Sequence, residues 1–128
     1  MLQKIAIGGS MKFRSLIKTT MEKLENLGYT PLFPNLNYSS ENKDAALAIE
    51  EKNKLARDHY KAVEEADAVY FILPEGYMGT SCKIELGYAL ALKKPIYFSE
   101  PTNDMAIDGY PKKIISLDNL KELNIELN

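Results

Sequence analysis

The chain has 128 residues, with 16 Lys and Arg against 18 Asp and Glu, one His, one Cys and 45% apolar residues. A formal charge of −2 lacks the basic excess of a protein that lives on nucleic acid phosphates, one Cys cannot form an internal disulfide, and no apolar run reaches the roughly 20 residues of a membrane span. Met1-Leu2-Gln3-Lys4 leads into a strand-like segment rather than a signal peptide, so one cytoplasmic domain over residues 1–128 is expected, with partners other than nucleic acid or membrane.

Leu2 to Ile7 reads as a short buried strand, ended by the turn Gly8-Gly9-Ser10. From Met11 the period lengthens. Phe13, Leu16, Ile17, Met21, Leu24 and Leu27 recur at steps of three and four, which predicts an amphipathic helix with Ser10 as N-cap and Gly28 as stop. Tyr29 to Pro34 follows as a second strand, and residues 35–44 form a polar loop of the kind that covers a site. Ala45 to Ala66 has helical composition with a break expected near Asn53, and Leu55, His59, Ala62, Val63 and Ala66 lie along one stripe.

Ala68 to Leu73 is a continuous apolar run, typical of a central parallel strand covered on both faces. A loop from Glu75 to Gly79 delivers the chain to a helix over residues 80–93, Pro95 to Phe98 makes a fourth strand, and a loop runs from Ser99 to Pro111. Lys113 to Leu117 is the fifth strand, and Asp118 caps a last short helix. Strand and helix alternate without repeats, predicting one doubly wound, flavodoxin-like α/β domain: a five-stranded parallel sheet flanked by helices. Ligands then sit at the carboxyl ends of the strands, which singles out the loops at 8–14, 35–44, 74–83 and 99–111.

Gly8-Gly9-Ser10 places free backbone N–H groups at a helix start, with Lys12 and Arg14 in the first turn. Cations there oppose the helix dipole, as an anion-binding turn would require, but a glycine turn is also ordinary α/β punctuation. The third glycine of a dinucleotide fingerprint and the Walker pattern are both lacking, which argues against nicotinamide and nucleoside triphosphate chemistry. No flavin cofactor is expected either, because the first loop lacks a Ser/Thr-rich phosphate cradle.

Glu85 shares a helix face with Cys82, Ala89 and Leu92, so its carboxylate is aimed at a packed surface; it is either functional or a dipole-compensating acid. Gly87, at about 1 kcal/mol against Ala, suggests a close backbone approach. His59 fits a core histidine or a catalyst, with Asp58 beside it, and Cys82 fits a packing residue or a lowered-pKa thiol. One His and one Cys do not make a zinc site, and there is no G-x-S-x-G elbow.

The string Gly79-Thr80-Ser81-Cys82-Lys83-Ile84-Glu85-Leu86-Gly87-Tyr88-Ala89, with Gly9-Ser10 after the first strand and Ala66-Asp67 before the third, resembles the nucleoside 2-deoxyribosyltransferase superfamily, which includes 2′-deoxynucleoside 5′-monophosphate N-hydrolases. The resemblance implies that Glu85, unprotonated, attacks the anomeric carbon and holds the sugar as a glycosyl ester, with retention of configuration. It also implies that Gly9 and Ser10, with Lys12 or Arg14, bind a 5′-phosphate, and that Asn103 reaches the sugar site of a neighbouring subunit, making the active unit a homodimer or larger.

The chain departs from the family at two places. His59 stands where an aspartate usually contacts the sugar and positions the nucleophile, so either a histidine takes a modified role or Asp58 takes over through a slip in the helix. Gly79 replaces an aspartate that handles the base in transferases, and Ser81 and Lys83 replace small residues. The expected function is therefore N-glycosidic cleavage or transfer on a nucleoside or nucleoside 5′-monophosphate. The alternatives are a nucleotide-binding sensor module, favoured by His59, and a phosphoribohydrolase of the cytokinin-activating type, from Pro74-Glu75-Gly76-Tyr77-Met78-Gly79-Thr80.

Overall fold

A computed structural model describes residues 3–33 and 45–124, with the side chains of 45–48 outside the description. Its elements are β1 (Gln3–Gly8), α1 (Arg14–Asn26), β2 (Tyr29–Leu32), α2 (Ala45–Glu65), β3 (Ala68–Phe71), α3 (Thr80–Ala91), β4 (Ile96–Phe98), α4 (Met105–Asp108) and β5 (Lys113–Ile114). The five strands are all parallel, in the order β2-β1-β3-β4-β5. The order therefore reverses between β1 and β3, and the crevice above that point is where a doubly wound sheet takes its ligand. The expected loop at 35–44 lies outside the described residues.

Strand alternation divides the core in two. Ile5, Ile7, Tyr70, Ile72 and Tyr97 point to the face covered by Ile17 and Leu24 of α1 and by Leu120 and Leu123. Ala6, Val69, Phe71 and Phe98 point to the other face, where Ala62 and Val63 of α2, with Ala66 just after it, meet Cys82, Leu86 and Ala89 of α3. A central strand buried on both sides has no polar face, which is why 68–73 reads as unbroken apolar sequence. The buried Tyr70 hydroxyl donates to the Ile115 carbonyl at 2.6 Å and ties β3 to the C-terminal segment.

Several local expectations change. The chain after Ser10 first makes a 3-10 turn, Met11–Phe13, with the Ser10 hydroxyl accepting from the Lys12 N–H, and α1 begins only at Arg14. The α2 helix runs unbroken through Asn53, because Asn costs no more than about 0.7 kcal/mol in a helix interior, which its buried stripe easily offsets. Between β4 and β5 the chain is not all loop. The Asp104 side chain caps a helical turn by accepting from Ala106 N–H, and the Asp108 carboxylate accepts from Thr102 N–H, Thr102 Oγ1–H and Asn103 N–H. The last helical segment is a 3-10 turn, Leu117–Glu122, preceded by Ser116 rather than capped by Asp118.

Candidate active site

Length places the site. A 21-residue helix is about 31 Å long whereas a four-residue strand covers about 13 Å, so α2 outruns the sheet. The helix runs against the strands, and its N-terminal half overhangs their carboxyl ends. Lys52, Asn53, Leu55, Ala56, His59 and Tyr60 of α2 form one wall of a cleft of about 470 Å³. Gly9, Ser10 and Met11 after β1, Tyr77 after β3, and Gly79, Thr80, Ser81, Cys82, Ile84 and Glu85 around the start of α3 complete it. The volume lies within the range of about 300–1,000 Å³ typical of small-molecule sites.

Glu85 is only 7% exposed although it lines this cleft. It sits on the inner face of α3 with Cys82, Leu86 and Ala89, and burial pushes its carboxyl up to about 8 because an ion is poorly solvated there. Burial thus favours the acid form of Glu85, whereas the attack expected of it needs the carboxylate. His59 faces it from α2, with Nδ1 3.8 Å from Glu85 Oε1 and the same 7% exposure. Burial drives the imidazole down to about 4, against the opposing pull of Asp58. The Phe33 ring meets it edge-on, at 4.7 Å between centroids and 81° between planes. Cys82 is pushed up to about 12 by burial and then by Glu85, which makes it a packing thiol rather than a nucleophile.

Of the ten residues singled out from sequence, Glu85, His59, Gly9, Ser10, Gly79 and Ser81 come together on the cleft wall. Asp58, Lys12, Arg14 and Asn103 do not line it. The Asp58 charge pulls the His59 imidazole upward, against the effect of burial. Lys12 lies beside the entrance, its Nζ 3.5 Å from the ring centroid of Tyr77, and Arg14 is exposed at the start of α1. Asn103 is exposed, with φ +68°, in the turn braced by Asp108. Neighbouring Met105 is 94% exposed.

Tyr77, Tyr60 and Lys52 are wall residues that motif reading passed over. Lys52 stands seven residues before His59, on the same helix face, which is the signal by which it is findable; Tyr60 is the next residue along. Gly87 departs from its expectation: a Cβ there would meet nothing within 4 Å. Close approach is instead found at Gly8, where a Cβ would fall 2.4 Å from the Phe71 ring. Among the described residues no group of three or more His, Cys, Asp or Glu is gathered as a metal ion would need, and no helix is long and apolar enough to cross a membrane.

The fold and the crevice define a flavodoxin-like α/β domain with its site at the switch in strand order. Residues 7–124 match the model of the nucleoside 2-deoxyribosyltransferase family, and the chain belongs to that family. A similar solved structure is the 2-deoxyribosyltransferase of the psychrotolerant bacterium Bacillus psychrosaccharolyticus, at 20% identity and TM-score 0.68, covering 94% of this chain and 92% of that one. A conserved protein from Enterococcus faecalis V583 is also similar, at 13% identity and TM-score 0.56, covering 94% and 98%. No curated protein matches the chain.

Proposed function

We propose that the protein breaks the N-glycosidic bond of a nucleoside or nucleoside 5′-monophosphate and passes the sugar to water or to a second base through a glycosyl ester on Glu85. The observation that carries this reading is a nearly fully buried carboxyl forming part of the wall of a cleft of about 470 Å³, in a chain of the nucleoside 2-deoxyribosyltransferase family. A Glu85 oxygen attacks C1′ as the C1′–N bond breaks and its electron pair leaves with the base. The carboxylate first stabilises oxocarbenium charge and then bonds to it; attack by water or a second base on the ester restores the original configuration.

The Gly9-Ser10 turn receives the 5′ end of the substrate, and Gly79 and Ser81 border the sugar and base. Lys12, held on the Tyr77 ring beside the entrance, and Arg14 meet a 5′-phosphate if the substrate carries one. The Asp108-braced turn presents Asn103 and Met105 outward, a form suited to insertion into a second copy of the chain, so the working unit is a homodimer or larger. Asp58 tunes His59 rather than touching the sugar.

The test is a panel of ribo- and deoxyribonucleosides and their 5′-monophosphates, with and without an acceptor base, followed by chromatography of free base. Release is expected from at least one class, and it should fall by about 1,000-fold or more in Glu85→Gln, as loss of a covalent nucleophile demands. Ligand-dependent thermal stabilisation without base release from any member would overturn this reading in favour of a nucleotide-binding module.

A further inference from the structure

Glycosyl transfer through Glu85 requires two proton movements. The buried carboxyl must lose its proton before it attacks, and a purine or pyrimidine leaves poorly as an anion unless a proton reaches it while the bond breaks. One described side chain stands where both needs meet. His59 Nδ1 lies 3.8 Å from Glu85 Oε1, both residues line the same cleft, and both are equally buried. The imidazole is also well fixed, held edge-on by Phe33 and carried on the turn of α2 above buried Ala62 and Val63.

We propose that Glu85 and His59 form a dyad carrying a single proton, in which His59 shuttles that proton from Glu85 to the departing base and later recovers one from the incoming nucleophile. The proposal rests on the reading of Glu85 as nucleophile. In the first half, the Glu85 proton passes to His59, a carboxylate oxygen bonds to C1′, the C1′–N bond breaks, and imidazolium protonates the leaving nitrogen. A glycosyl ester, a neutral imidazole and a neutral base result. In the second half, water or an acceptor base attacks C1′, the ester C1′–O bond breaks toward Glu85, and the nucleophile's proton goes to His59. The dyad ends with its single proton restored, so no outside acid or base is consumed.

The surrounding groups are compatible with this. Lys52, Asp58 and Tyr60 on α2, Tyr77 after β3 and Cys82 on α3 are the titratable groups around the pair among the described residues. Asp58 favours the imidazolium, and Cys82 stays a thiol across the working range, leaving His59 as the proton acceptor. In the free protein burial places the shared proton on Glu85.

Because His59 is the one histidine in the chain, its ring NMR signals can be followed without overlap from other imidazoles, with or without turnover. The wild-type ring should show an inflection near pH 8 as its neighbour ionises, absent in Glu85→Gln. Superimposable curves in the two proteins would overturn the dyad. The second readout compares base release with release of 4-nitrophenolate from the 4-nitrophenyl glycoside of the same sugar, a leaving group that needs no proton. His59→Gln should lower base release by about 100-fold or more and nitrophenolate release, which still needs Glu85 to lose its proton but needs no protonated leaving group, by a clearly smaller factor. Equal losses on both substrates would overturn the shuttle and leave Glu85 as nucleophile intact. If the wild type released neither product, the nucleophile reading would fall, and the NMR comparison would still decide whether the two groups share a proton.

Discussion

Replacing Glu85 with Gln should change how stability depends on pH, and the size of the change follows from burial. The folded carboxyl keeps its proton to about pH 8 against an ordinary 4.5. Its stabilising contribution is complete below 4.5, where both states are protonated. Above that the unfolded chain ionises first, and each pH unit removes about 1.4 kcal/mol until the folded group also ionises. His59 works in the opposite sense. Its folded value of about 4 lies below the ordinary 6.5, so its contribution grows as pH rises from 4 to 6.5. The two slopes cancel between 4.5 and 6.5 and leave a plateau; from 6.5 to 8 only the Glu85 slope remains, amounting to about 2 kcal/mol. Gln cannot ionise, so its stability advantage over the wild type should widen by that amount across the interval. At a urea m-value of about 2 kcal/mol/M, the difference between the two unfolding midpoints grows by about 1 M. Parallel midpoints at pH 6.5 and pH 8 would refute the buried, protonated Glu85.

Three further outcomes follow from the backbone and the loops. Gly87→Ala should stabilise the protein by about 0.4–1 kcal/mol, since a helix-interior Cβ there meets open space; a fall in thermal midpoint would contradict the geometry. Gly8→Ala should destabilise by about 1–3 kcal/mol, because its Cβ overlaps the Phe71 ring at 2.4 Å in a packed core; a neutral result in denaturant unfolding would refute that. Asp108→Ala should speed amide hydrogen exchange at Thr102 and Asn103, whose N–H groups donate to its carboxylate, and leave exchange in β1 unchanged.

The sequence carried the frame of the fold because its signals were local. The apolar run at 68–73, Ser10 before a helical period and Gly28 with φ +93° after it each act within a few residues. Glu85 was legible for the same reason: its helical spacing from Cys82 and Ala89 places a carboxyl among residues that must be buried. Whatever depended on tertiary geometry was not. The stripe on α2 is visible, but which half faces core and which faces cleft is decided by how far the helix overhangs the sheet, so Lys52 and Tyr60 went unread while Ala62 and Val63 did not. What stands opposite Gly8 and Gly87 is likewise set by packing and not by their neighbours in the chain. The choice between His59 and Asp58 as the residue facing Glu85 likewise needed the helix phase, which puts His59 on the wall.

The central claim is a bond between Glu85 and a sugar carbon, and trapping that bond tests it most directly. A 2′-fluoro substituent destabilises oxocarbenium-like transition states and slows release of the ester. The protein would be incubated with 2′-fluoro nucleosides and their 5′-monophosphates and examined by intact and peptide mass spectrometry. The account expects one fluoroglycosyl group per chain, on the peptide containing Glu85 and absent from Glu85→Gln. Turnover of the unsubstituted substrates by both proteins at equal rates, with no adduct on that peptide, would contradict it.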